Sequence, residues 1–259
     1  MIFLKRMLLL FSAIFILASC SSTGDLTEFY EPFISPAEIP ASSRLGEGKP
    51  RIYASNDIEN DVLSFRADNY YRVMGLCSFT GPKWAEDDLR DGIEDLCEDT
   101  DSKVAIYGRT YHSTHTSTSS YTSSQSHYNS FTKTYNTTTT STPITNTYDR
   151  YSYRIYTLAP YTKKEIENWH LGLGVRDLTP EERKDLKRNT GAFTAIVYNK
   201  FPAFYENMAY GDVIININGT QINDAQDFLN VERTLESGDK VQLTYIRNGI
   251  VQNAEFSAK

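Results

Sequence analysis

Apolar and polar positions change rhythm several times along this chain, and each change marks an element. Met7 to Ala18 is one apolar run broken only by Ser12. At about twelve residues it is too short for an ordinary spanning helix. Residues 21–50 turn to Ser, Pro, Gly and Glu with few aliphatics, the composition of a flexible tether. Within them Glu28 to Ile34 is more apolar and suited to docking. Val73 to Phe79 is a short apolar run ended by Gly81-Pro82, and it reads as a strand. Over residues 85–97, Leu89, Ile93, Leu96 and Cys97 recur on one helical face. Glu86, Asp87 and Asp88 fill the first turn, where they suit the helix dipole. Lys103 to Tyr107 reads as a second strand, so strand, helix and strand suggest a small βαβ unit.

Residues 112–147 break from every period. Of these 36 residues, 22 are Ser or Thr, interleaved with Tyr, and Lys133 carries the single formal charge. Low hydrophobicity argues for disorder. The near alternation of Thr and Tyr argues for extended strands. The expectation is a protruding β-hairpin or a long loop. Tyr151 to Thr157 then alternates cleanly and reads as a strand returning to the sheet.

The last third is sharper. Gly191 to Val197 reads as a strand. Val213 to Ile217 is a β-branched run closed by the turn pair Asn218-Gly219. Asn223 and Gln226 have capping-box spacing. Phe228, Val231 and Leu235 then share one face of a short helix that stops at Gly238. A short helix beside an exposed strand makes a groove.

The formal net charge of −7 leaves no basic footprint, so nucleic acid is excluded as an expected partner. Lys5 and Arg6 precede the apolar leader, which ends in Leu17-Ala18-Ser19-Cys20. This ending resembles the lipobox of bacterial lipoproteins. The resemblance implies a signal peptide over residues 1–19 and lipidation of Cys20. Several acyl chains, at about 0.8 kcal/mol per CH₂, would hold the chain on a membrane. Ser21 after the cysteine favours the outer membrane over the inner by the sorting rules of Gram-negative lipoproteins. The expected location is the bacterial cell envelope, periplasmic or surface-facing.

Leu171-Gly-Leu-Gly-Val-Arg-Asp-Leu-Thr-Pro-Glu181 is similar to the opening of PDZ domains in HtrA-type proteases. Phe201-Pro-Ala203 sits at that family's Ser-Pro-Ala turn. Tyr210-Gly-Asp-Val-Ile-Ile-Asn-Ile-Asn-Gly219 and the stretch Gly238 to Gly249 match its later strands. The resemblance covers about 85 residues nearly without gaps. It implies a groove that binds extended peptides, usually C-termini, by strand addition. Mapped onto this chain, the loop His170-Leu171-Gly172-Leu173 would hold a carboxylate, and Gly174-Val175-Arg176 would begin the pairing strand. Leu171 and Leu173 would line the pocket for the last side chain, with Val231 and Leu235 as the opposite wall. Phe204, Tyr205 and Tyr210 replace small or prolyl family residues; core filling is the expectation, and a contact patch is the alternative. Residues 53–158 loosely resemble an uncharacterised bacterial envelope module. Gly75-Leu-Cys-Ser-Phe79 and Tyr148 to Tyr151 carry that likeness, which implies architecture and no chemistry.

No catalytic constellation emerges. A Gly-x-Ser-x-Gly turn is missing from the sequence, and the Ser/Thr tract has no activating base at recognisable spacing. His112 and His115, three apart on an extended segment, would point to opposite faces, and with His127 they do not suggest a metal site. His170 lies in the proposed carboxylate loop. Cys77 and Cys97 are candidates for a disulfide in an oxidising compartment; two buried free thiols are the alternative. No cofactor or metal is expected.

The expected fold class is α+β. It comprises a tether over residues 20–50, a small α/β module over 51–160 with the insertion 112–147, and a PDZ domain over 161–259, a partly open β-barrel with two helices. The expected function is non-enzymatic binding of protein or peptide termini in the envelope. An accessory or cryptic hydrolase, and a structural envelope protein with a degenerate PDZ domain, stand as alternatives.

Overall fold

The computed structural model describes residues 25–129 and 133–259, so Cys20 and the leader lie outside the described residues. The first unit is built on β1 (Tyr30–Pro32), β2 (Arg51–Ala54), α1 (Ile58–Asn69), β3 (Tyr71–Pro82), α2 (Glu86–Asp99), β4 (Val104–Asn129) and β5 (Thr134–Pro160). Its sheet has the order β1-β3-β5-β4-β2. The expected strand–helix–strand unit is present with one change. β5 pairs antiparallel to both β3 and β4 and lies between them, so the two parallel strands joined by α2 are not neighbours.

Side-chain alternation explains why the sheet needs two helices. Along β4 and β5, Ala105, Tyr107, Tyr153 and Ile155 point into a cluster with Leu89, Ile93, Leu96 and Cys97 of α2. Val104, Ile106, Tyr156 and Leu158 face the other way, toward Val62 of α1. Successive strand residues point to opposite faces, so an apolar pair at every step requires cover on both. Each fully buried Leu or Ile contributes about 1.5–3 kcal/mol relative to exposure, which makes the four buried side chains of α2 a major anchor. Toward this sheet helix α1 offers only a narrow stripe, Ile58, Val62 and Phe65. It ends on Tyr70, whose φ of 59° is left-handed.

The polar segment after the leader is not a free tether over its whole length. Leu26 is buried beside α2, Tyr30 to Pro32 pairs with β3, and Ile39 is buried against Met74 and Ala159. Composition averages these anchors away, because they are single apolar residues at irregular spacing. Gly75 makes room for one of them. A Cβ there would sit 2.4 Å from the Tyr30 ring.

The Ser/Thr-rich insertion is a hairpin. β4 and β5 pair from Val104↔Leu158 to Asn129↔Thr134, with one register shift between Tyr111 and Ser113. Past that shift the ribbon extends for roughly 55 Å at about 3.3 Å per residue. Thr and Ser face each other across it, as in Ser126–Thr137 at 2.9 Å and Ser124–Thr139 at 3.2 Å. β-branched Thr favours the strand, while the missing apolar face leaves the ribbon outside both cores.

The second unit follows α3 (Lys163–Glu167). It contains β6 (Leu173–Asp177), α4 (Pro180–Asp185), β7 (Ala192–Val197), α5 (Pro202–Tyr205), β8 (Val213–Ile217), β9 (Thr220–Gln221), α6 (Ala225–Glu232), β10 (Lys240–Arg247) and β11 (Ile250–Ser257). The sheet order is β11-β10-β8-β7-β6, with β9 paired to β8. Asn218 and Gly219 both have positive φ, 51° and 83°, as a two-residue type I′ hairpin between β8 and β9 requires. The helix cap lies one residue later than expected. Asp224, not Asn223, accepts from the Asp227 N–H at 2.8 Å, and Asn223 donates its own N–H to the Asp227 carboxylate. The turn aromatics also depart from the expected core filling: Phe204, Tyr205 and Tyr210 are exposed, while Phe201 and Ala203 just before them are buried. One turn of helix cannot direct consecutive side chains to one side.

The two units meet through aromatic rings. Ile196, Tyr198 and Phe201 pack with Leu63, Ala67 and Tyr70 of the first unit, and with Tyr161, Ile166 and Trp169 of the connection. Hydrogen bonds fix the contact, with Asn199 N–H donating to Ala67 C=O at 3.2 Å and Tyr70 Oη to Asn199 C=O at 3.0 Å.

Candidate functional site

Strand β6 is the last strand of its sheet and pairs only with β7 among the described residues. Its other edge has no strand partner among the described residues. Helix α6 packs beside it. The two run in opposite directions, and a hydrogen bond joins them at each end. At the far end Asp177 Oδ1 accepts from the Ala225 N–H, 2.9 Å. At the near end Glu232 Oε1 accepts from the Leu171 N–H, 3.3 Å.

The loop before β6 is shaped by Gly172. Its φ is +76°, and a Cβ there would lie 2.0 Å from Phe201 Cβ, so no other residue fits. The carbonyls of Leu171 and Gly172 accept from Ala203 N–H and Tyr198 N–H at 3.2 and 2.9 Å. Those bonds turn the loop's carbonyls toward the domain junction. Gly174 permits a second close approach, since its Cβ would meet Ile196 at 2.4 Å.

The residues expected to line a pocket are divided by the structure. Leu171, Leu173 and Leu235 are buried in the core with Phe228, Ile214 and Leu243. Val175 and Val231 are partly buried against that core. Leu229, an α6 residue outside the expected set, is 36% exposed. Glu232 escaped notice altogether. It is 7% exposed, and burial raises its carboxyl above the ordinary range, opposed by the amides and charge of Leu171 and His170. The available signal was its place four residues after Phe228, a charge on the apolar face. Beside it, His170 Nδ1 lies 3.1 Å from the Lys259 carbonyl oxygen, and Lys259 N–H donates to His170 C=O at 2.9 Å.

A PDZ domain family model matches residues 170–257. This part of the chain is a PDZ domain. Three curated relatives share it, all named as probable periplasmic serine endoproteases, DegP-like. The relatives from Pseudomonas putida strains W619 and GB-1 are each 33% identical over 96 residues, 36% of this chain and 20% of theirs. The chain thus spans about a fifth of the length of these relatives. Among solved structures, the HtrA-type protease AlgW with tripeptide is 26% identical, with a TM-score of 0.33, covering 40% of this chain and 39% of that one. The HtrA3 PDZ domain bound to a phage-derived ligand is 20% identical, with a TM-score of 0.31, covering 35% and 85%.

Within the PDZ domain, the Gly-Asp pair of the matched Tyr210 to Gly219 stretch is structural. Asp212 is fully buried, binds Arg247 through both oxygens at 2.6 Å, and accepts from Ala209 N–H at 2.8 Å.

Outside the PDZ domain, Cys77 and Cys97 are both free thiols buried in one cluster. Burial pushes both up to about 12, which suppresses the reactive thiolate. His112 lies 3.3 Å from Ser152 Oγ, and His115 packs on Tyr148. Among the described residues there is no cluster of three metal-ligating side chains, and no helix is long and apolar enough to cross a membrane.

Proposed function

We propose that this protein is a lipid-anchored, non-enzymatic binding protein of the bacterial envelope, and that its PDZ domain captures extended peptide segments by adding them to the edge of β6. The open edge of β6 beside α6 carries the reading. Main-chain groups supply affinity in this mode and flanking side chains supply selectivity. Leu229 and Val175 are the apolar side chains placed to contribute. The periplasmic relatives support an envelope location, and Leu17 to Cys20 support a lipid anchor through Cys20, with the outer membrane favoured. Holding a binding domain on a membrane makes position part of its function.

Peptide display against the chain from residue 21 onward, followed by amide chemical-shift mapping, tests the binding. Shifts should concentrate on residues 173–177 and 225–232. N-methylation of alternate peptide amides should weaken binding at least tenfold, because it removes ladder hydrogen bonds. Equal affinity of methylated and unmethylated peptides would refute strand addition. Labelling with an alkynyl fatty acid should mark the wild type in cells and not Cys20→Ala.

A further inference from the structure

The Glu232 carboxylate lies against the loop expected to hold a ligand's terminal carboxylate. The helix ends on this residue, and its side chain turns inward rather than to solvent. Its Oε1 accepts from Leu171 N–H, the first amide of the loop that leads into β6. His170 and Arg233, neighbours of the two bonded residues in the chain, act against the burial that raises this carboxyl. Phe228, one turn earlier on α6, is fully buried.

A buried carboxylate is costly unless hydrogen-bonded, so the amide that accommodates it is committed to it. A second carboxylate beside the first would meet like charge at low dielectric, and one of the two would have to be neutral. The edge of β6 is independent of this contact. Pairing along residues 173–177 uses the strand's own backbone groups and asks nothing of Leu171.

We propose that Glu232 fills the carboxylate subsite from within, so that this PDZ groove selects an internal extended segment of a partner protein and rejects a free C-terminus. This inference rests on the strand-addition reading and narrows its ligand class. Glu232 is then a specificity-determining residue: it occupies the Leu171 amide that a ligand carboxylate would otherwise use.

The test uses one displayed apolar sequence in three forms: with a free C-terminal carboxylate, with a C-terminal amide, and embedded between polar flanks. Affinities for the wild type, Glu232→Gln and Glu232→Ala are compared by fluorescence anisotropy at pH 7. The wild type should bind the embedded and amidated forms at least tenfold tighter than the acid. Glu232→Ala should reverse that order, and Glu232→Gln should reduce the discrimination. Tighter binding of the acid by the wild type, or an acid-to-amide ratio unchanged in Glu232→Ala, overturns the proposal. If no form binds any of the three proteins, the strand-addition reading falls, and the assignment of Glu232 is decided by NMR instead. The Leu171 amide resonance should then move with pH in the wild type and stay still in Glu232→Gln; equal behaviour in both overturns it.

Discussion

Gly172 and Phe201 occupy almost the same space: a Cβ on residue 172 would lie 2.0 Å from the Phe201 Cβ. Phe201 is fully buried and cannot retreat, because its ring also packs on Tyr70 at 5.9 Å and Trp169 at 5.8 Å. The loop before β6 is therefore keyed to the junction between the two units. Gly172→Ala adds a methyl group at a positive φ and against a fixed ring. It should destabilise the protein by roughly 2–4 kcal/mol. Urea unfolding should show this as a lower midpoint at unchanged slope; a loss under about 0.5 kcal/mol would contradict the close approach.

Glu232 ties stability to pH. Burial raises its folded-state pKa above the ordinary 4.5. A raised carboxyl stabilises the fold most fully below the unfolded value, and that contribution is lost as pH rises through the folded value. Glu232→Gln imitates the neutral form at every pH and keeps an oxygen for the Leu171 amide. Its Tm should exceed that of the wild type at pH 7, and the gap should close as pH falls toward 4.5. A gap that widens on acidification would mean that the carboxylate is stabilised by its site.

Tyr70 joins the two units through its ring and its hydroxyl. It contacts Trp169, Tyr198 and Phe201, and its Oη donates to Asn199 C=O. Tyr70→Ala should cost about 2–4 kcal/mol at the junction. The wild type should unfold in one calorimetric transition and Tyr70→Ala in two, because the PDZ domain and the first unit have separate cores joined at this cluster. One sharp transition at an unchanged Tm would show that the aromatic contact does not couple them.

The buried thiols should be inert in the native protein. With both pushed up to about 12, Cys77 and Cys97 should resist iodoacetamide at pH 8 and react completely in denaturant. Rapid native alkylation of either would place it in a more open site.

Much of the fold was legible because it follows simple periods. The face Leu89, Ile93, Leu96 and Cys97 marks α2, and Val213 to Ile217 with Asn218-Gly219 marks the β8–β9 hairpin. Both depend on contacts close in sequence. Helix α1 is not legible in the sequence because Val62 is its only buried residue. Leu26 and Ile39 were hidden because isolated anchors have no period at all. The exposure of Phe204, Tyr205 and Tyr210 is not legible in the sequence, because hydrophobic character does not state direction within short turns.

The candidate groove divides along the same line. From sequence alone came the PDZ likeness, the glycine at position 172 and the general place of the helix. Local chemistry suffices for these: a left-handed φ demands glycine, and β-branched alternation demands a strand. Only the tertiary structure decided that Phe201 is what forbids a side chain at 172, and that β5 is inserted between β3 and β4. It also decided that Glu232, far along the chain, turns its carboxylate to the Leu171 amide. Those contacts join residues dozens of positions apart, and packing, rather than any local preference, selects which of them meet.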